Sequence, residues 1–306
     1  GKVNMTKRNV ATSRFAALLG LDYLVAKSES VEVYDEATNQ IIRGNLMEKA
    51  DGIEAKKFLP EFKKNHSVGT SMFATAKAQK DLVNLQVLDV LCGQMDRHDG
   101  NFMIQVEGGD TITGIKGIDN DASFGNNVDV VLMDRNGKER HDRRVYDIEN
   151  GKMALPYMDK NLAERILVLE PDVIRFALKG LISDREIESA IIRLNMMKKA
   201  IATTKNKQPE RFLEEDQWNE ETAQTMIKQE WKARSLMRGY QDTIFAMQKK
   251  IHPEISKIKP ENRTEEQRKI WNNTALKIQR ELKHNMYSEY ASNSNYFGRF
   301  MVSSMG

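Results

Sequence analysis

Roughly halfway along the chain the spacing of apolar residues changes, and this change limits the fold more than any other feature. Up to about residue 150, short apolar runs alternate with turns rich in Gly and Asn. From about residue 155 onward, apolar residues recur at three and four almost without a break. Strands gathered in one half and helices in the other predict an α+β chain that is mostly α. No internal repeat or low-complexity tract interrupts this pattern.

Local signals place the elements. A helix is expected over about 8–19, closed by Gly20 at its C-terminal cap. Strands are expected over 23–33 and 41–47, with a loop over 49–52. A second helix, about 80–94, carries Leu85, Leu88, Cys92 and Met95 on one apolar stripe. Glu-Gly-Gly-Asp between 102–106 and 111–118 predicts a hairpin, and a second is expected around Arg135–Lys138. Residues 120–127 read as a loop. Further on, Asp159 is a candidate N-cap, Pro171 opens a helix, and Ser183 with Glu186 forms a capping box for a helix reaching about Ala202. Long helices follow over about 219–250 and 264–288, with Trp218, Trp231 and Trp271 as packing anchors. The Ser/Asn-rich segment from Ala291 reads as loose.

Composition narrows the class of protein. A chain of 306 residues buries about 75% of its unfolded surface, so it needs no cross-links to fold. With 40% hydrophobic residues placed periodically, the 30% charged fraction belongs to a folded protein and not a disordered one. A net charge of +3 is too small to call for nucleic acid, and the mild basic excess past Ile201 reads as solvated helix faces. No apolar run is long enough for a bilayer, so the chain is not expected to be transmembrane. Cys92, the single cysteine, excludes an internal disulfide and a cysteine zinc site, and its place on the apolar stripe marks it as core. It fits a reducing compartment, and a cytoplasmic location is the expectation.

Chemistry concentrates in QMDRHDGNFMI and, one hairpin later, GIDNDASFG. The end of a helix delivers Asp96, Arg97, His98, Asp99 and Asn101 into a tight loop, and the hairpin returns the chain to Asp119 and Asp121. Carboxylates gathered so closely repel unless a cation or a proton joins them. Asp and Asn oxygens suit Mg²⁺ or Mn²⁺ rather than zinc. Arg97 is balanced between pairing with an acid and touching a phosphate. The histidines at 66, 141, 252 and 284 show no metal-binding spacing, and the cluster Arg140, His141, Arg143 and Arg144 reads as a solvated hairpin more readily than a headgroup site.

DRHDGN resembles the catalytic loop of the phosphatidylinositol kinases and their atypical protein-kinase relatives, and IDNDASFG is similar to the metal loop of type II phosphatidylinositol kinases and of secretory-pathway Golgi kinases. IIRGNLMEKADG resembles the strand and hinge that cradle adenine there, and RNVATSRFAALLG falls where their αC helix stands. The resemblance spans about residues 8–200 and is densest over 94–125. It implies a kinase-like fold with a reduced or truncated N-terminal lobe (1–52), a helical catalytic lobe (53–204) and a C-terminal helical extension (205–306). It implies Asp96 as the catalytic Asp acting on the attacking hydroxyl, and Asn101 and Asp119 as ligands of Mg²⁺ or Mn²⁺. His98 would stabilise transferred-phosphate charge or prop the loop, and Met47, Glu48 and Lys49 would line the adenine pocket. The activity implied is ATP-dependent phosphotransfer to a protein or lipid hydroxyl.

The departures are equally specific. There is no G-x-G-x-x-G and no G-x-x-x-x-G-K-[ST], only Lys2 and Lys7 precede the first helix, and that helix has no Glu for a lysine partner. Strands before Gly1, a substitute residue, or a pseudokinase would each explain this. A catalytically inactive scaffold or helical protein-interaction module is the alternative expectation.

Overall fold

The computed structural model describes residues 5–58, 75–108, 111–125, 131–133, 139–141 and 155–305. The α+β, mostly helical class expected from the patterning is what these residues form.

Helix α1 (Met5–Leu18) buries Val10, Ala11, Phe15 and Ala16 and ends at Gly20, whose φ of 64° is the left-handed conformation expected of a terminal glycine. The chain then makes a short 3-10 turn, Asp22–Leu24, before strand β1 (Ser28–Asp35). The strand thus starts later than Tyr23, because Leu24 and Val25 drop into the core and Tyr23 turns its hydroxyl towards Asn84 and Asp81. Strand β2 (Gln40–Met47) pairs antiparallel with β1, Val33 facing Ile42 and Ser28 facing Met47. A two-residue strand, β3 (Ile53–Glu54), follows the expected loop.

Helix α2 (Ala76–Cys92) runs through the middle of the molecule. Thr75 caps its start, and Gly93, at φ 65°, caps its end. Sequence spacing gives it one apolar stripe, yet it is buried nearly all round. Its polar residues are accommodated by pairing. Gln79 donates to the Asn219 carbonyl at 3.0 Å, Asp81 accepts from Lys77 and from the Ile115 N–H, and Asn84 donates to Asp159. Burial of polar groups is tolerable only with such partners. Leu85, Leu88 and Cys92 are fully buried, and burial pushes the Cys92 thiol well above its ordinary value, so it behaves as core.

Strands β4 (Phe102–Glu107) and β5 (Thr111–Gly117) form the expected hairpin, with a bulge at Gln105/Val106, and β3 extends it to an antiparallel sheet in the order β3-β4-β5. Strands β6 (Val131–Met133) and β7 (Glu139–His141) pair antiparallel around the second predicted hairpin. Residues Arg135–Lys138, Arg143, Arg144 and His66 lie outside the described residues, as do the side chains of Arg140, His141 and His284.

Beyond β8 (Met158–Asp159) the structure is helical. Asp159 caps α3 (Lys160–Val168), Pro171 opens α4 (Pro171–Leu178), and the Ser183/Glu186 box starts α5 (Asp184–Lys207). Strand β9 (Phe212–Leu213) pairs parallel with β8. The long helices are α6 (Glu220–Ile251), capped by Asn219, and α8 (Glu265–Ala291), joined through the short α7 (Pro253–Ser256). Trp218 and Trp271 are buried as expected; Trp231 is 49% exposed and stacks against Arg234 instead. The tail is not loose. Helix α9 (Tyr296–Met305) buries Phe297, Phe300, Met301 and Val302 against α2 and α6. Its apolar residues recur at helical spacing after a polar lead-in that masks the pattern.

Candidate functional site

The end of α2 and the end of β5 meet, and side chains from α2 and its loop tie the two following loops together. Gln94 donates to the Asp119 carbonyl at 3.2 Å while its amide oxygen accepts the Asp96 N–H at 3.0 Å. The Ile118 N–H donates to the Asn101 carbonyl at 2.9 Å. Arg97 does most. Its guanidinium forms a bidentate pair with Asp89, both contacts at 2.9 Å, and also reaches the carbonyls of Asn101 (2.6 Å) and Ile118 (2.7 Å) and the Asn120 amide oxygen (2.6 Å). Arg97 and Asp89 are both buried, so the pair is a shielded fork–fork contact. The choice left open by the sequence thus falls to an acid. Gly117 makes the approach possible, since a Cβ there would sit 3.1 Å from both Arg97 and Leu85.

A second buried arginine closes α2 itself. Arg193, from α5, donates to the carbonyls of Leu91 (2.8 Å), Cys92 (3.3 Å) and Gly125 (3.3 Å). A cation at a helix C-terminus meets the free carbonyls and the negative dipole end. The Phe124 N–H donates to the same Cys92 carbonyl at 2.7 Å, and its ring wedges against Phe15 of α1 at 6.0 Å. From α1, Asn9 accepts the Asn120 N–H at 2.9 Å. Both Asp119 (φ 54°) and Phe124 (φ 59°) hold left-handed backbone conformations. Non-glycine residues adopt this conformation where the surroundings enforce it, and such sites cluster at functional positions.

This frame brings the expected acidic residues together. Asp96 is half-buried, Asp119 is exposed and Asp121 half-buried. Partial desolvation, then the charge and hydrogen bond of Asp119, with Asp96 adding, push the Asp121 carboxyl above its usual range. The amide of Asn101 donates to the Asp96 carbonyl at 2.7 Å, which orients its oxygen as the remaining polar atom of the side chain. His98 is largely exposed. Its Nδ1 accepts the Gly100 N–H at 3.0 Å and its Nε2 lies 3.9 Å from Asp96, so it braces the turn of the loop.

The three residues expected at an adenine pocket lie beside the same end of β5, where Lys116 is the second-last residue of the strand. Met47, the last residue of β2, and Lys49 are exposed, whereas Glu48 is tied down. Glu48 accepts from Lys116 at 2.7 Å and from the Lys27 N–H at 3.0 Å, and these contacts, Lys116 first, hold its carboxyl below the usual range. Lys116 belongs to β5, and Asp119 follows two residues after the strand ends at Gly117. A pocket of about 510 Å³ opens beside this pair, with Ser13, Arg14, Tyr23 and Lys27 in its wall. Sequence reasoning found no lysine–acid pair in this half of the chain; Lys116 and Glu48 make one from two elements that no local pattern connects.

Among the described residues, no three His, Cys, Asp or Glu side chains close on one point as a self-sufficient metal cage. The donor set here is Asp and Asn oxygen only, which fits a hard cation completed by phosphate oxygens. The Asp121 carboxyl is raised first by burial and then by the neighbouring carboxylates of Asp119 and Asp96. Among the described residues no helix is long and apolar enough to cross a membrane. No protein-family model matches the chain, and no curated protein matches it.

Proposed function

We propose that this chain is a kinase-like phosphotransferase that uses Mg²⁺- or Mn²⁺-bound ATP to phosphorylate a protein or lipid hydroxyl. One observation carries the reading: Arg97 and Gln94 lock two loops so that Asp96, Asn101, Asp119 and Asp121 share one neighbourhood. The chain order supports it. A helix packed on the 119–122 loop, a hairpin, the Glu48 strand end, a buried helix and two acidic loops flanking β4–β5 follow the order implied by the resemblance. Residues 1–52 then form a reduced N-terminal lobe.

In this reading Asp119 and the Asn101 oxygen hold the cation, with Asp121 beside them. The cation, when bound, neutralises charge on the β- and γ-phosphates. Asp96 orients the acceptor hydroxyl and takes its proton as the new oxygen–phosphorus bond forms and the bond to the leaving diphosphate breaks. Lys116, held by Glu48, supplies the fixed positive charge at the nucleotide end of β5. His98 braces the loop that carries Asp96.

Calorimetric titration with ATP, with and without Mg²⁺ or Mn²⁺, tests this directly. Metal-dependent binding is expected, and Asp119→Asn should abolish it at little cost in stability, since Asn tolerates the left-handed backbone at this position. Asp96→Ala should keep nucleotide binding and lose turnover. Undiminished turnover in Asp96→Ala refutes its catalytic role; absence of metal-dependent binding in the parent protein refutes the phosphotransfer reading and leaves an inactive scaffold.

A further inference from the structure

Asp89 holds Arg97, and Arg97 holds both loops, so whatever fixes Asp89 fixes the site. The fork from Arg97 occupies one lone pair on each Asp89 oxygen. A third donor completes it: the Tyr296 hydroxyl donates to Asp89 Oδ2 at 3.0 Å. Tyr296 is the first residue of α9, 207 residues further along the chain.

The segment before α9 is built to seat that hydroxyl. Gln86, one turn before Asp89 on α2, accepts the Tyr296 N–H at 2.8 Å and donates to the Ser294 carbonyl at 3.1 Å. On the other side, Glu230 of α6 accepts from the Ser294 hydroxyl (3.1 Å) and the Asn295 N–H (3.2 Å). Asn295 donates to the Met226 carbonyl at 3.0 Å and accepts the Gly298 N–H at 2.6 Å. Below Tyr296, Phe300 meets Phe102, the first residue of β4, edge to face at 6.2 Å. The tail therefore grips both the helix that enters the first loop and the strand that leaves it.

We propose that α9 is a positioning element of the site and that Tyr296 is a positioning residue, acting through Asp89 and Arg97 on the backbones of Asn101 and Ile118. A buried carboxylate with all its donors in place has one orientation; with one donor removed it can rotate, and the guanidinium that follows it slackens on the two carbonyls. Displacement of α9 would then loosen the site without touching a residue in it. The effect on turnover rests on the phosphotransfer reading; the effect on loop order rests on geometry alone.

The test is Tyr296→Phe in the full chain, which keeps the ring and its packing and removes the hydroxyl. Hydrogen exchange is followed at the Asn101 and Ile118 amides, which donate to the His98 and Asn101 carbonyls, and in α5 as an internal reference. Exchange at the two loop amides should rise at least threefold while α5 stays unchanged, which separates local loosening from global unfolding. In turnover, kcat should fall threefold or more with KM for metal-bound ATP unaltered. Loop exchange equal to the parent's overturns the proposal, and so does a loss confined to KM. If the parent protein fails to bind metal-bound ATP, the phosphotransfer reading falls, and the exchange result still decides whether Tyr296 positions the loops.

Discussion

Replacing Arg97 by Ala probes the fastening between the two loops. Arg97 is 8% exposed and Asp89 3%, so the substitution strands a buried carboxylate whose chief partner is gone. Breaking a buried pair in this way costs about 3–5 kcal/mol. The Ile118 carbonyl and the Asn120 amide oxygen also lose a donor, while the Asn101 carbonyl loses one and keeps the Ile118 N–H. Each such group left buried and unpaired adds about 1 kcal/mol or more, though water entering the vacated space recovers part of it. A loss of about 4–6 kcal/mol is expected, a large share of the whole stability of a typical domain. Urea unfolding followed by far-ultraviolet circular dichroism should show it. With a slope near 3 kcal/mol/M, the midpoint falls by more than about 1 M. The mechanism makes a stricter demand. Asp89→Ala should be severe for the converse reason, and the double variant should cost less than the two single losses combined, by about 2 kcal/mol or more. Additive losses, or a midpoint shift under about 0.3 M for Arg97→Ala, would show that the pair does not act as a unit and that the loops are held by other contacts.

Two glycines make opposite predictions from the same substitution. In Gly298→Ala the new Cβ meets the Met226 carbonyl oxygen at 2.5 Å, so seating α9 should cost about 1–3 kcal/mol, whereas Gly239→Ala, in open space on α6, should stabilise by about 0.5–1 kcal/mol; urea midpoints moving in the same direction would contradict the packing described. Glu186 ties α5 to α1 through Arg8 at 2.5 Å and completes the helix cap. Desolvation pushes its carboxyl up, but the Ser183 N–H and Arg8 outweigh this and hold it below its ordinary value of 4.5. A lowered folded-state value stabilises above the unfolded one and is lost as pH falls through it. Glu186→Gln should therefore cost about 1 kcal/mol at neutral pH, with the gap to the parent closing below about pH 4, read as thermal midpoints across pH.

Legibility followed the range of the interaction. Features decided within a few residues were readable: the Ser183/Glu186 box, the Asp159 cap, Pro171, Gly20 and the Glu-Gly-Gly-Asp hairpin. The acidic loops were also readable as a group, because Asp96, Asn101, Asp119 and Asp121 stand at the two ends of one hairpin. Other features were not. Tyr23 scores as a strand residue until Asn84 offers its hydroxyl a partner. The Trp231 and Trp271 signals look alike, yet one ring is exposed and the other buried.

The sequence by itself determined the α+β class, most helix starts, and the set of oxygen-bearing residues that a single small loop pair presents. Only the tertiary structure decided what those residues lean on. It gave Arg97 to Asp89, gave Glu48 to Lys116, and turned an apparently loose tail into a helix seated against α2. The physical reason is that caps, turns and periodicity are satisfied by neighbours in the chain, whereas a buried polar group is satisfied by whatever the fold brings to it. For Gln86 that partner is 208 residues away, and no local pattern names it.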